Sequence, residues 1–423
     1  MNIKIAVLAL ATTALLSSCD KWIDQASTPS NTLSRSEISK PNMLALVASN
    51  SLTDGPLIAN TRTLIGEATA QTQLALGAMS DELTEGAVPN ALLYRELSSD
   101  AVTSSSGTIT TLWNKLHDLY SRSEEVLAVA QETAEAGQGS DAVRAYARYI
   151  GHLGSGLALQ YLAETYSTTP SAKGGGLRLR GQIESHESLL KRAHQHYAEA
   201  TAAVGDASLS GLKNFDPQLA LRQLSTLDMR LYMHEGKYAE ASKLLPSSLR
   251  SGEHLGIIYN SNGADNAVFS ALGSDARDVQ VSPALEALRK SEAERRALPL
   301  AHKVLDAKNP SVYNIYISNL TRHSTLVLVD NADVRLTTAE LILRGLYTGD
   351  ALSEVNALIA TYDSASQLSD QPSLAEIARL RRIYLAVRGE RTADLRRRLV
   401  EDEATAAFAT RRVQWIPLPE REL

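Results

Sequence analysis

The chain has 423 residues, 42 Lys and Arg against 48 Asp and Glu, a net charge of −6 and a single cysteine. The acidic balance argues against a nucleic-acid partner. The length exceeds what one typical hydrophobic core supports, so we expect one large domain or two intimate ones.

The first nineteen residues predict export and a lipid anchor. Lys4 gives a positive start, and the apolar run from Ile5 to Leu16 is too short to span a bilayer, which takes roughly 20 residues. Such a run is typical of a secretory signal. It ends in Leu16-Ser17-Ser18-Cys19, a branched apolar residue, two small residues and a cysteine, as a lipoprotein signal requires. We therefore predict a signal peptide at 1–18 and lipidation of Cys19, with a buried core cysteine as the alternative.

Residues 19–40 are polar and predict a flexible tether, whereas helical periodicity dominates a single domain over 41–423. Asp216-Pro217 marks a helix start and Gly236 a helix end, so 217–250 forms a helix–turn–helix unit of 34 residues, the period of a tetratricopeptide repeat. Further helix pairs are predicted at 141–166 with 186–204 and at 333–347 with 350–362, and another helix begins at Ser373. The fold class is therefore mainly α, a tetratricopeptide-like scaffold of helical pairs.

Three stretches interrupt the helical pattern, at about 80–110, 167–184 and 251–332. The third combines a predicted helix at about 283–305 with strand-like runs from Tyr313 to Leu320 and from Thr325 to Val329. Long insertions in a rigid scaffold usually carry function.

A search for catalytic chemistry finds no nucleophile elbow and no phosphate-binding loop. The glycines between Gly151 and Gly156 fall inside a helix, whereas a dinucleotide loop must precede one. His194 and His196 are two residues apart and point to different sides of their helix, so solvated surface histidines are favoured over a metal site. We predict no enzyme activity, cofactor or metal, although counting acidic residues leaves a carboxylate pair for glycoside hydrolysis open.

Several motifs, taken in order along the chain, resemble those of the SusD/RagB outer-membrane lipoproteins, which capture nutrients for transport. The C-terminal segments are the most specific. The matching segments are Met79-Ser80-Asp81-Glu82, Trp113 to Leu127, Tyr146 to Pro170, His186 to Val204, Leu219 to Leu249, Val334-Arg335 with Ala339-Glu340-Leu341, Arg388 to Arg397, and Ile416-Pro417-Leu418-Pro419 with Glu422. The chain departs from the family pattern in the turn from Tyr166 to Pro170 and in lacking a second Ala-Glu pair.

The resemblance implies a SusD-like α/α superhelix at the outer membrane, exposed on the cell surface. It also implies a SusC-like TonB-dependent β-barrel transporter as the partner, to which a polar ligand (an oligosaccharide or a peptide) is delivered. Two alternatives stay open: a surface glycoside hydrolase and a purely structural lipoprotein. The arginines and acids of the C-terminal motif are expected to tie the scaffold together rather than to form a site.

The ligand-binding residues are predicted from the aromatic side chains, because sugar faces stack on flat rings. The three tryptophans are poorly placed, since Trp22 lies in the tether, Trp113 in a scaffold helix and Trp415 in the C-terminal motif. The predicted contacts are the tyrosines of the insertions, with local packing as the alternative for each: Tyr94, Tyr259, Tyr313 and Tyr316.

Overall fold

The computed structural model describes residues 41–86, 92–171, 176–179, 182–259, 266–273 and 279–422. The predicted signal peptide, the tether with Trp22, and Cys19 lie outside the described residues.

Helices dominate the described chain, and they are numbered here in chain order. They are α1 (Pro41–Leu44), α2 (Pro56–Met79), α3 (Leu92–Ser98), α4 (Gly107–Glu135), α5 (Asp141–Thr165), α6 (His186–Val204), α7 (Pro217–Glu235), α8 (Tyr238–Leu244), α9 (Ala267–Leu272), α10 (Pro283–Glu286), α11 (Glu292–Ala297), α12 (Asn331–Leu343), α13 (Ala351–Ala360), α14 (Leu374–Tyr384), α15 (Glu390–Arg396) and α16 (Glu403–Ala409).

The strands are short and join in pairs. They are β1 (Ala45–Ala48), β2 (Ser51–Asp54), β3 (Leu83–Glu85), β4 (Tyr166–Ser167), β5 (Gly176–Leu179), β6 (Gln182–Ser185), β7 (His254–Ile257), β8 (Val279–Val281), β9 (Leu300–Val304), β10 (Tyr313–Ile317), β11 (Leu326–Asp330) and β12 (Ile416–Pro417). Strands β1–β2, β5–β6 and β9–β10 are antiparallel pairs close in sequence, β3–β8 and β7–β11 are antiparallel pairs across long distances, and β4–β12 is parallel.

Consecutive helices pack side by side, as the helical periodicity predicts. Contacts join α4 to α5, α5 to α6, α6 to α7, α7 to α8 and α12 to α13. In the central pair, Asp216 accepts a hydrogen bond from the Leu219 amide at 3.0 Å and caps α7. Gly236 ends the same helix in the left-handed region, at φ +75°, which a glycine adopts without strain. The mainly α scaffold of helical pairs is confirmed.

Helix α2 lies between the helical pairs and the irregular part of the chain. Most of its residues are buried, which requires an apolar surface on every side. It contacts α4 and α5 on the scaffold side and β7, β11 and α9 among the insertions. The Gln73 side chain donates to the Val327 carbonyl of β11 at 3.1 Å. The insertions are therefore held by the same buried helix that organises the scaffold.

Three glycines let α5 approach both of its neighbours closely. A Cβ atom at Gly151 would lie 2.7 Å from Leu127 of α4, and one at Gly156 would lie 2.7 Å from the ring of Tyr197 on α6. Gly154 faces Ser123 of α4 in the same way. Separations of this kind exclude any side chain, so these residues serve helix packing and not a nucleotide loop.

The helix predicted at about 283–305 is wrong over its second half. Two short helices, α10 and α11, form instead, and each begins at a serine cap, Ser282 and Ser291. Pro299 then disfavours helical backbone at the preceding residue, and Leu300 to Val304 pairs with β10 as a strand. The predicted strand-like runs correspond to β10 and β11.

Among the described helices, none is both long and apolar enough to cross a membrane.

Replacing Gly156 with alanine tests the close packing of α5 against α6. Alanine is intrinsically favoured over glycine in a helix by about 1 kcal/mol. We nevertheless expect the Gly156→Ala protein to be less stable by about 1–3 kcal/mol, because the new methyl group collides with the buried Tyr197 ring. Denaturant unfolding measures the change. The control is Gly107→Ala at the exposed start of α4, where no atom lies within 4 Å of the new Cβ and no loss is expected. A Gly156→Ala protein as stable as the control would contradict this packing.

Candidate functional site

The C-terminal motif forms a buried ion-pair cluster, not an open site. On α14, the Arg381 guanidinium donates from Nε to Asp394 at 2.8 Å and from Nη2 to Glu390 at 2.7 Å. All three side chains are at most 2% exposed. Charges so deeply buried are tolerated only when they are paired and hydrogen-bonded.

Glu390 gathers further cations from the helical scaffold. Both ring nitrogens of His234 on α7 face carboxylates: Nδ1 lies 2.7 Å from Glu164, and Nε2 lies 3.1 Å from Glu390. Burial opposes charge on this ring, but the two carboxylates outweigh burial and raise the pKa of His234 to about 9. Arg230 Nε lies 3.5 Å from the same Glu390 carboxylate. The histidine is therefore an imidazolium that bridges α5, α7 and α15.

The remaining motif side chains bind other parts of the fold. Arg397 binds Glu340 of α12, with Nη2 donating to Oε2 at 2.8 Å. Arg391 donates to Asp81, beyond the end of α2, at 3.0 Å. Gly389 adopts a φ of +83°, and a Cβ there would lie 2.9 Å from Leu76. These contacts support the structural role predicted for the motif.

A cavity of about 500 Å³ lies beside this cluster, between α5, α6, α7 and the C-terminal segment. The Arg396 guanidinium covers the Trp415 ring at 4.2 Å, and His186 stacks on that ring at 5.7 Å between ring centroids. Arg396 also donates to the backbone carbonyls of Glu164 and Gln414. Burial lowers the pKa of Arg396. Sequence reasoning missed this cavity, because its walls combine α5, α6 and α7 with the distant C-terminal segment.

Strands from the first and third insertions meet in one surface, here called the insertion face, which consists of β3, β8, β9 and β10. The Gln280 side chain on β8 connects β3 to β10. It donates to the Glu85 carbonyl of β3 at 3.0 Å and accepts from the Ile315 amide of β10 at 3.0 Å. Helix α3 packs against β3.

The insertion face presents a stacked pair of rings to solvent. Tyr313 of β10 and His302 of β9 lie nearly parallel, at 14°, with centroids 4.7 Å apart. His302 Nε2 donates to the Glu286 carboxylate at 2.9 Å. Tyr313 is 36% exposed, and the neighbouring Val304 is 50% exposed. A flat, partly apolar surface beside a carboxylate is the combination that sugar recognition uses.

The four predicted tyrosines do not converge on one platform. Tyr316 pairs in register with Ala301 and lies on the opposite face of the hairpin from Tyr313. Tyr259 follows β7 and lies over α2, where its hydroxyl would be 2.9 Å from a Cβ at Gly66; burial raises its pKa to about 12. Tyr94 lies on α3 and packs against the core. Their assignment as ligand contacts stays a prediction, and Tyr313 is the most exposed of the four.

The prediction that His194 and His196 are solvated surface histidines is wrong. The two rings do point apart, but each meets a neighbouring helix. His194 faces α7 and binds Asp228 and, at 2.6 Å, Glu235. His196 faces α5, where its Nδ1 lies 3.0 Å from Nδ1 of His152. Tertiary packing, which a helical spacing does not reveal, supplies these partners.

A carboxylate pair does occur where the third insertion meets α12, since Asp330 and Asp333 cap this helix. Arg388 donates to both of them, at 2.9 and 3.3 Å. Burial and the Asp330 charge raise the pKa of Asp333 to about 7. Since both acids are occupied in capping and in this ion pair, they are poorly suited to glycoside hydrolysis.

Comparison with known proteins identifies the fold. The chain is similar over most of its length to solved SusD-like structures. For a SusD superfamily protein from Bacteroides vulgatus, the TM-score is 0.64 at 13% identity, covering 87% of this chain and 95% of that one. For surface glycan-binding protein A from Bacteroides thetaiotaomicron, in complex with laminarihexaose, the TM-score is 0.58 at 15% identity, with 86% and 97% coverage.

A third similar structure is NanU of B. fragilis, with a TM-score of 0.60 at 13% identity, covering 92% of this chain and 94% of that one. No family model matches the sequence, and no curated protein matches it. The chain therefore has the SusD-like fold, and the resemblance found in its motifs is confirmed at the level of the fold.

The His234 bridge predicts how stability depends on pH. Because folding raises the pKa of His234, the charged ring stabilises the fold. This stabilisation is complete below the ordinary histidine pKa of about 6.5 and is lost as the pH rises through about 9. The raised pKa values of Asp333 and Glu82, about 7 and 8, act in the same direction. We expect the unfolding free energy to fall from pH 6.5 to 9. In His234→Gln this slope should be shallower by up to about 1.4 kcal/mol per pH unit.

Denaturant titrations across this pH range check the slope. The matched control is His323→Gln, which removes an exposed imidazole outside the ion-pair cluster. Equal slopes for the wild type and His234→Gln would show that the histidine is not held as an imidazolium.

Proposed function

We propose that this protein is a surface nutrient-binding lipoprotein of the SusD type that binds a polar ligand, preferably an oligosaccharide, on its insertion face. The observation that carries the proposal is the exposed Tyr313–His302 stack beside Glu286, on a fold shared with glycan-binding proteins.

The chemistry of these three side chains suits a short sugar chain. The C–H-rich face of a pyranose loses its hydration together with the free face of the stacked rings. Glu286 is held by His302 and by Arg289, whose Nη2 lies 3.2 Å away, and offers acceptor oxygens to sugar hydroxyls. One exposed stack provides little apolar area, so the interaction is weak and specificity comes from hydrogen bonds. A peptide offers amide donors to the same carboxylate but lacks the flat C–H face.

We propose further that lipidation at Cys19 anchors the protein at the outer membrane and that a TonB-dependent barrel receives its ligand. The lipoprotein signal supports the anchor, and the SusC-like partner follows from the motif resemblance. Gentle detergent extraction followed by mass spectrometry tests the partnership, since recovery of the monomer alone in several mild detergents would oppose it.

Removal of the Tyr313 ring should weaken glycan binding. We expect calorimetry with laminarihexaose and a panel of other oligosaccharides to give at least one ligand. For that ligand, Tyr313→Ala should lower the affinity about tenfold, which corresponds to about 1.4 kcal/mol. The matched control is Tyr347→Ala, because Tyr347 is equally exposed, at 37%, but lies between α12 and α13 of the helical scaffold.

Three outcomes would contradict the glycan-binding proposal. Equal affinity of Tyr313→Ala and Tyr347→Ala would place the ligand elsewhere, in which case Tyr94→Ala, Tyr259→Ala and Tyr316→Ala would be examined in turn. Turnover of any oligosaccharide by the pure protein would favour the hydrolase alternative. Binding of a barrel without binding of any small ligand would favour a structural lipoprotein.

Substitution of the single cysteine tests the anchor. We expect Cys19→Ala to yield an uncleaved precursor or a soluble protein without lipid, because the thiol is the site of acylation. Membrane fractionation and mass spectrometry of the N-terminus distinguish the forms. A Cys19→Ala protein that is anchored normally would refute the lipoprotein assignment, and surface proteolysis of the wild-type protein tests which side of the membrane it faces.

A further inference from the structure

Two histidines and a glutamate meet between α5 and α6 of the helical scaffold, on elements that do not belong to the insertion face. His152 comes from α5, and His196 and Glu199 come from consecutive turns of α6. One ligand atom from each residue can be chosen so that all three atoms lie within 4.8 Å of one another. No residue of this cluster takes part in the proposed glycan site.

Two of the separations between these atoms are close to those around a small metal ion. Nδ1 of His152 lies 3.0 Å from Nδ1 of His196 and 3.1 Å from Oε2 of Glu199. A tetrahedral zinc ion, with bonds of about 2.0–2.1 Å, places neighbouring ligand atoms about 3.3 Å apart. Both separations therefore lie within a few tenths of an ångström of the distance between two corners of such a tetrahedron.

The two facing Nδ1 atoms of His152 and His196 cannot both carry a proton. Two Nδ1 atoms at 3.0 Å share one N–H···N hydrogen bond, so at least one of them presents a lone pair toward the other. A metal ion replaces that proton and uses both lone pairs together with the Glu199 charge. A simple hydrogen bond between neutral rings is the competing explanation of the same geometry.

Neighbouring groups orient the glutamate and set the local charge. Gln195 donates to Oε1 of Glu199 at 2.9 Å, which leaves Oε2 directed at His152. Ser155 donates to the Glu124 carboxylate at 2.9 Å, and this second acid lies close enough to act electrostatically on both rings. Outer hydrogen bonds that fix a ligand's orientation are typical of metal sites.

The helices that carry the ligands form a rigid and accessible frame. The close approach at Gly156 fixes α5 against α6 one turn from His152. The His152 side chain is 16% exposed and the Glu199 side chain 42% exposed, so an ion can enter from solvent. The arrangement thus combines fixed ligands with an open side for a fourth ligand.

We propose that His152, His196 and Glu199 bind one divalent transition-metal ion of the zinc class, with water or an external ligand in the fourth position. Two imidazoles and a carboxylate favour zinc, nickel or cobalt over the hard ions magnesium and calcium. The ion crosslinks α5 and α6 and so stabilises the scaffold. This inference does not depend on the proposed function and can fail separately from it.

Titration of the purified mature protein, prepared without a histidine tag, tests the site. We expect ZnCl₂ to bind with one ion per chain by calorimetry and to raise the melting temperature, whereas MgCl₂ and CaCl₂ at the same concentration do neither. CoCl₂ should give visible d–d absorption bands that zinc displaces. His196→Gln should weaken zinc binding about a hundredfold or more, and Glu199→Gln should weaken it about tenfold or more.

Two further variants complete the test. His152→Gln changes a residue of α5 instead of α6 and should weaken zinc binding as much as His196→Gln does. A folding defect in one of the two variants therefore does not decide the question. His323→Gln, which removes an exposed histidine elsewhere, should bind zinc as the wild type does. Zinc that leaves the wild-type melting temperature unchanged, or that binds His152→Gln and His196→Gln as tightly as the wild type, would overturn the proposal and leave the hydrogen bond between neutral histidines as the explanation.

Discussion

The carboxylate of Glu390 carries the interactions on which the rest of this fold depends. It is buried and lies within reach of three cationic side chains, those of Arg381, His234 and Arg230, which come from α14 and α7. Removing one partner of such a buried pair typically costs about 3–5 kcal/mol, because the remaining charge cannot be hydrated. The cluster need not be more stabilising than an apolar core would be. It does, however, fix which helices meet, since each charge accepts only a partner of opposite sign.

Ion pairs also hold the insertions on this frame, since Arg391 donates to Asp81 and Arg388 donates to Asp330. Their strands are short and irregular, yet Gln280 of β8 bonds both β3 and β10, and β3 contacts α2. An aromatic stack such as Tyr313 on His302 can then stay exposed without destabilising the core. The ion-pair cluster thus maintains the fold, whereas the insertion face presents side chains to solvent.

Local signals were sufficient to predict the helical scaffold. Asp216 caps α7 and Gly236 ends it, and both act on the adjacent backbone. The glycines of α5 lie inside a helix, as predicted. Longer-range features could not be predicted. His152 and His196 are 44 residues apart and meet only because α5 and α6 pack, and the walls of the Trp415 cavity come from distant segments. The helix predicted across Pro299 failed because strand pairing with β10 competes with helical periodicity.

We propose that a SusD-like frame presents an oligosaccharide site on the insertion face. A crystal structure of the protein soaked with the oligosaccharide selected by calorimetry tests this claim most directly. We expect a sugar ring stacked on the free face of Tyr313, with a hydroxyl bound to Glu286. A sugar bound instead in the cavity of Trp415 and Arg396, with Tyr313 exposed to solvent, would contradict it.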